Sequence, residues 1–89
     1  NDLLTLSPNP AINLVKISYI VSGANASKEP VTIEILNSLG AVSVNILDKK
    51  MAPGVFDATL ATENLKPGIY YCRLRTVNQM VVRKLVITH

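Results

Sequence analysis

The chain has 89 residues, of which 48% are hydrophobic but only 4% aromatic, and its formal net charge is +3. This length allows one domain with a thin core, which must be built mainly from Val, Ile and Leu because Trp is absent. Such a small charge does not by itself indicate a nucleic-acid-binding protein, and no apolar run approaches the length of a membrane span.

Alternation of apolar and polar residues predicts strands along the whole chain, and no stretch shows a convincing helical period. Residues 3–6 predict a short strand. Residues 14–21 predict a longer one, whose inward face carries Val15, Ile17, Tyr19 and Val21.

Residues 31–47 predict a β-hairpin. In its first strand an inward apolar set alternates with an outward polar set: Val31, Ile33 and Ile35 against Thr32 and Glu34. Asn37 and Gly40 form the tight turn, because both residue types tolerate unusual backbone angles. The second strand is predicted to bury Val42, Val44 and Ile46.

The next segment, residues 48–54, predicts a charged turn that ends at Pro53-Gly54. A weaker strand over residues 55–60 directs one apolar set inward: Phe56, Ala58 and Leu60. The polar crossing that follows has room for a short helical turn. We expect Leu65 to close the edge of the core there, since it is the only large apolar residue of that crossing.

Two strands end the chain, over residues 68–76 and 80–88, with Gly68 at the bend that precedes the first. The first strand has an inward set and an outward set: Tyr70, Cys72 and Leu74 against Tyr71, Arg73 and Arg75. Both phases of the last strand are apolar. We predict Val81, Leu85 and Ile87 as its buried set, and expect the other phase to be covered or to contact a partner.

Charge is concentrated in this last third. From Leu65 onward there are five cations and no acid: Lys66, Arg73, Arg75, Arg83 and Lys84. This pattern is typical either of a solvated strand face or of a surface that contacts an acidic partner.

The pattern as a whole predicts an all-β protein, an Ig-like antiparallel β-sandwich of about seven strands. Short strands follow one another at regular spacing without intervening helices. The Cys…Trp…Cys signature of antibody domains is absent, so the likeness to immunoglobulins is one of topology only.

No arrangement of residues indicates catalysis, a cofactor or a metal ion. The only histidine is His89, at the end of the chain, and the only cysteine, Cys72, lies in an apolar phase. The six acids are scattered, and no CxxC, HExxH or glycine-rich phosphate loop occurs. Asn25-Ala26-Ser27 matches a glycosylation acceptor triplet, which we interpret as loop composition.

Four stretches, in this order, resemble the C-terminal sorting domain of the type IX secretion system (the Por system) of Bacteroidetes. The first is Leu6-Ser7-Pro8-Asn9-Pro10-Ala11, and the second is the Val31–Ile35 run with its turn from Asn37 to Gly40. The third is a spaced set: Leu65, Gly68, Tyr70 and Leu74. The fourth is Lys84-Leu85-Val86-Ile87, close to the end of the chain.

The resemblance implies that residues 1–89 are one sorting domain, which follows an N-terminal cargo domain in a longer protein. Residues 1–5 would be the end of a linker or a first short strand. The cargo would pass through the periplasm to the cell surface or be secreted. The translocon and a sortase would be the partners, and cleavage is expected upstream of Leu6, at or before Asn1-Asp2. The domain would be a substrate, not an enzyme, and would not bind nucleic acid.

The last two strands suggest how docking could occur. They combine main-chain edges, apolar side chains and a basic face, with Tyr71, Arg73, Arg75 and Arg83 as the predicted docking residues. An open terminal edge also predicts a strand-mediated homodimer.

Two other functions remain open: a structural or adhesive Ig-like module of a surface protein, and a carbohydrate-binding sandwich, which the absence of Trp disfavours.

Overall fold

The computed structural model describes residues 3–23 and 27–88. His89, Asn1-Asp2 and the first two residues of the Asn25-Ala26-Ser27 triplet lie outside these ranges. Within them the chain forms seven strands: β1 (Leu4–Ser7), β2 (Leu14–Val21), β3 (Glu29–Leu36), β4 (Val42–Met51), β5 (Gly54–Ala61), β6 (Gly68–Arg75) and β7 (Met80–Ile87). No helix occurs in the described ranges, and therefore none that could span a membrane.

The strands form two antiparallel sheets that pack face to face. One sheet has the order β1-β2-β5 and the other has the order β4-β3-β6-β7. This confirms the predicted Ig-like β-sandwich, including the short first strand.

One hydrophobic core lies between the sheets, and it is built as the alternation predicts. The inward residues of β2, the Val31, Ile33 and Ile35 set of β3, and Tyr70, Cys72 and Leu74 of β6 are all buried. Tyr19 stacks on Phe56 of the neighbouring strand at a centroid distance of 5.6 Å, and its hydroxyl reaches the other sheet, where it donates to Met51 Sδ at 3.8 Å. The core therefore holds both sheets in one unit.

The turn between β3 and β4 forms as predicted. The Asn37 side-chain oxygen accepts hydrogen bonds from the backbone N–H groups of Leu39, at 2.9 Å, and Ala41, at 3.0 Å. Gly40 has a φ of +88°, a conformation that residues with a Cβ rarely adopt. Sequence chemistry alone thus accounts for this turn.

Strand β4 departs from the prediction because it is irregular. Its pairing with β3 shifts between Ile33 and Glu34 and again between Ile35 and Leu36. The second shift places Val42 opposite Leu36, and Val42 is 51% exposed, so its prediction as a core residue was wrong. The first shift places Leu47 opposite inward-facing Ile33, and Leu47 packs against the core.

The charged turn that the sequence predicts over residues 48–54 was also wrong, because its charged residues do not form a turn. Asp48, Lys49 and Lys50 belong to the strand and pair with residues 30–32 of β3. The connection is only Ala52-Pro53, after which the chain enters the other sheet as β5. Alternation is hard to detect there because a bulge disturbs the side-chain period and the outward residues are charged.

The crossing from β5 to β6 contains a turn and no helix. Leu65 N donates to Thr62 O at 3.1 Å, and Leu65 packs against the core as predicted. Thr62 is fully buried, and its backbone N–H donates to Asn13 O at 2.8 Å. The helical turn therefore does not form, whereas the role of Leu65 is confirmed.

Candidate functional site

Residues 8–11, here called the capping segment, lie along the outer edge of β7. Ala11 N donates to Val86 O at 2.8 Å, and Thr88 N donates to Ala11 O at 2.8 Å. Ala11 is fully buried and forms a parallel bridge with Ile87. One residue of the capping segment thus pairs with the last strand as a neighbouring strand would.

The Asn9 side chain extends this pairing by two further hydrogen bonds. Its Nδ2 donates to Lys84 O at 2.9 Å, and its Oδ1 accepts from Val86 N at 3.0 Å. A primary amide carries the same donor and acceptor types as a peptide group, so Asn9 substitutes for a missing strand residue. The flanking Pro8 and Pro10, whose preceding peptide bonds are both cis, have no N–H to contribute to such pairing.

Two motifs that are 75 to 77 residues apart in the sequence therefore meet in space. The sequence identifies the Pro-Asn-Pro-Ala stretch only as a family motif and does not predict this contact. The only signal was the isolated Asn between two prolines. Nothing in the local pattern identifies a partner so distant along the chain.

The capping segment changes what the end of the chain can offer to a partner. Alternate residues of a strand direct their N–H and C=O groups to the same edge. On the outer edge of β7, the groups of Lys84, Val86 and Thr88 named above are already bonded, while Arg83 Nη1 donates to Val82 O at 3.2 Å. Along Met80–Arg83, the first half of this edge, no further strand among the described residues pairs with β7.

The prediction that both of the last two strands have open edges was therefore wrong for β6. It pairs with β3 on one side and with β7 on the other, so it is an interior strand. Of these two strands, β7 is the one at an edge of the sheet.

The predicted basic residues divide between two sides of the four-stranded sheet. Its outer face, meaning the side away from the core, carries Tyr71, Arg73 and Arg75 of β6 beside Lys84, Val82 and Met80 of β7. Arg83 lies in the opposite phase, beside Cys72, and borders a groove with Leu4, Leu6 and Asn9. Including Arg83 in the same face as the other arginines was an error of strand phase.

Glu34 compensates part of the positive charge on the outer face. Its Oε1 accepts from Arg73 Nη2 at 2.6 Å and Nε at 3.2 Å, and Arg75 Nη2 lies 4.0 Å away. Glu34 occupies the predicted outward phase, yet only 8% of it is exposed because the arginines cover it. Because one carboxylate is shared by two arginines, and Lys84 is exposed as well, this part of the face keeps a net positive charge.

Apolar side chains accompany that charge. On the same face Ile69 is 45% exposed, Val82 41% and Met80 64%. The centre of the outer face of the three-stranded sheet is polar instead, since Asp57 accepts from Ser18 Oγ at 2.9 Å and lies 3.8 Å from Lys16 Nζ. Apolar and cationic groups together are typical of a surface that contacts a partner.

Most residues of the family motifs have a structural role that explains them. Leu74, Leu85 and Ile87 are buried in the core, and Tyr70 OH donates to Lys66 O at 2.7 Å. Gly68, with a φ of +150°, begins β6. The predicted motif residues that a partner can reach directly are the exposed ones, Pro8, Asn9, Pro10, Gly40, Gly68 and Lys84, together with the half-buried Val86.

The described residues offer neither a metal-binding cluster nor a reactive thiol. No group of three or more His, Cys, Asp or Glu side chains in residues 3–23 and 27–88 could hold a metal ion. Cys72 is fully buried, and burial raises the pKa of its thiol to about 12, so the nucleophilic thiolate is absent at neutral pH.

Comparison with known proteins agrees with the resemblance derived from the motifs. A family profile, the secretion system C-terminal sorting domain, matches residues 5–88, and no curated protein matches the chain. Domains of this family are generally not catalytic. They are signals that act with the secretion machinery to export an N-terminal cargo to the cell surface or beyond it. With a match over nearly its whole length, the chain belongs to the family of type IX secretion system C-terminal sorting domains.

Proposed function

We propose that the type IX translocon recognises this domain through the outer face of β6 and β7 together with the adjoining edge of β7. The observation that carries the proposal is the combination on one face of exposed apolar side chains with the net positive charge left by Arg73, Arg75 and Lys84 against Glu34. An acidic surface with apolar side chains is complementary to it. Met80–Arg83 could in addition accept a strand from the partner.

A charge-reversal experiment tests this mode of recognition. The domain is fused to a secreted reporter, and Arg75→Glu/Lys84→Glu is compared with Lys28→Glu/Lys49→Glu, which makes the same charge change on exposed residues outside the outer face. We expect the first pair to lower the secreted fraction severalfold and the second pair to leave it unchanged. If the Arg75→Glu/Lys84→Glu fusion were secreted as well as the control fusion, charge on the outer face would be irrelevant to export.

Deletion of residues 84–89 tests whether the last strand is needed at all. The truncated fusion should remain in the periplasm, because it lacks both the sorting strand and the partner of the capping segment. Normal export of this truncated fusion would contradict the proposed function. Circular dichroism of the purified fusion tells whether loss of export accompanies unfolding, since Leu85 and Ile87 also belong to the core.

Processing by a sortase is the second part of the proposal. Residues 1–89 would act as one sorting domain, cleaved at or before Asn1-Asp2 after periplasmic transit, and the cargo would then be joined to an anionic lipopolysaccharide. In support, Leu4 is fully buried and pairs with Tyr19, so β1 itself is protected from a protease. Mass spectrometry of the secreted cargo is the test, and a mature cargo that still carries β1 would contradict it.

A strand-mediated homodimer stays a prediction. With the capping segment in place, it would have only Met80–Arg83 of the terminal edge for pairing. Sedimentation of the purified domain at increasing concentration measures whether such a dimer forms.

A further inference from the structure

The Pro-Asn-Pro part of the capping segment is exposed, and the hydrogen bonds of Asn9 go to the last strand. Both of these bonds are made by its side chain, to Lys84 O at 2.9 Å and from Val86 N at 3.0 Å. The residues on either side of Asn9 are prolines, which cannot donate a backbone hydrogen bond to the same edge. Asn9 thus directs both of these hydrogen bonds to one stretch of β7, from Lys84 to Val86.

Apart from the capping segment, that stretch has a neighbour on one side only. It lies in an edge strand, and within the sheet only β6 pairs with it. Strand segments with one neighbour open locally more easily than interior strands do. The hydrogen bonds of Asn9 are exposed to solvent, so they contribute little to global stability, but they bear directly on this local opening.

We propose that Asn9 is a positioning residue for the sorting strand: with Ala11, it holds residues 84–88 in the sheet, so that the machinery meets an ordered strand and not a locally opened edge. This inference rests on the proposed function. The two terminal motifs then form one recognition unit, in which Asn9 acts through β7 and is not itself read by the partner.

The first test is amide hydrogen exchange in the 89-residue chain, followed by NMR. Asn9→Ala should accelerate exchange of the Val86 amide at least tenfold, because its acceptor is lost, and should leave the amides of β3 unchanged. Asp57→Ala is the matched control, since it removes an exposed polar contact of similar size in the other sheet. Unchanged exchange at Val86 in Asn9→Ala would overturn the proposal.

A second variant separates the two hydrogen bonds of Asn9. Asn9→Asp keeps an acceptor for Val86 N–H but replaces the donor that faces Lys84 O with a second oxygen. Val86 should therefore keep more protection in Asn9→Asp than in Asn9→Ala. If exchange rates were the same in both variants, the hydrogen bond from Val86 to Asn9 would not be what holds the strand.

Secretion of the reporter fusion is the second measurement. Asn9→Ala should lower the secreted fraction severalfold, Asn9→Asp should lower it less, and Asp57→Ala should secrete as the unmodified domain does. Equal losses in Asn9→Ala and Asp57→Ala would indicate general destabilisation and overturn the proposal. Full secretion of Asn9→Ala despite faster exchange would overturn it too.

One further outcome is diagnostic. If Asn9→Asp protected Val86 well but lost secretion as completely as Asn9→Ala, the Asn9 side chain would be read directly, and the positioning role would be wrong. The exchange measurement does not depend on secretion. It can therefore succeed even if the truncated fusion lacking residues 84–89 is exported normally, which is the result that contradicts the proposed function itself.

Discussion

At the scale of single residues, the environment of a polar side chain decides what it does. Glu34 and Asp57 both lie on outward phases of strands, as alternation predicts, yet Glu34 is covered by two arginines while Asp57 remains exposed. The sequence locates the phase of such residues. It does not tell which cross-strand neighbour lies over them, because that depends on the register of β3 against β6.

The ion pair of Glu34 should contribute measurably to stability. Glu34→Gln leaves partly buried Arg73 without its carboxylate, and we expect the free energy of unfolding to fall by about 1–2 kcal/mol, between the values for surface and buried pairs. Urea unfolding followed by circular dichroism measures it. Glu29→Gln, at an exposed position of the same strand, is the control and should be nearly neutral.

Cys72 should make stability depend on pH in alkaline solution. Burial raises the pKa of its thiol from 9.0 to about 12, so the folded chain keeps a proton that the unfolded chain releases. Its stabilisation is complete below pH 9.0 and is lost as the pH rises towards 12. In that window the free energy of unfolding should fall by about 1.4 kcal/mol per pH unit more than in Cys72→Val.

Urea titrations of both proteins across this window give the comparison. The raised pKa of Tyr19, caused by burial and by Asp57, is present in both proteins and cancels. If the free energies of unfolding of the two proteins changed in parallel with pH, the Cys72 thiol would not be protected from solvent.

At the scale of elements, regular strands were predictable and irregular ones were not. The burial of β2, β5 and β6 follows the alternation of the sequence, and so do the inward residues Val31, Ile33 and Ile35 of β3. β4 contains two register shifts, each of which reverses the side-chain phase, and Val42 was assigned to the wrong face for this reason.

The turn between β3 and β4 allows a clean test of local sequence chemistry. Gly40→Ala places a Cβ where φ is +88°, and no atom lies within 4 Å of that Cβ, so the effect comes from backbone conformation alone. We expect a loss of about 1 kcal/mol in the free energy of unfolding. Ser38→Ala, an exposed neighbour in the same turn, should change it little, and equal effects in urea titrations would contradict this explanation.

At the scale of the whole molecule, a single core and the capping segment hold the sandwich together. β1 belongs to the three-stranded sheet, whereas the residues that follow it bond to β7 of the four-stranded sheet. The chain thus crosses between the sheets near its beginning and is fastened to its own last strand. Both sheets should therefore unfold together.

Leu85→Ala tests this cooperativity. Leu85 is fully buried, and its truncation should lower the free energy of unfolding by about 2–5 kcal/mol while leaving a single transition. Val82→Ala, on the exposed face of the same strand, should change it by less than about 0.5 kcal/mol. Two separate transitions, seen by hydrogen exchange in the two sheets, would contradict a shared core.

The sequence by itself determined the fold class, the inward residues of the regular strands, the β3–β4 turn and the family, because each depends on patterns local to a strand or turn or on the order of short motifs. Only the tertiary structure decided the phase of Arg83, the burial of Glu34 and the occupation of the β7 edge by Asn9 and Ala11. These features depend on register and on contacts between residues far apart in the chain. Neither alternation nor turn chemistry specifies such contacts.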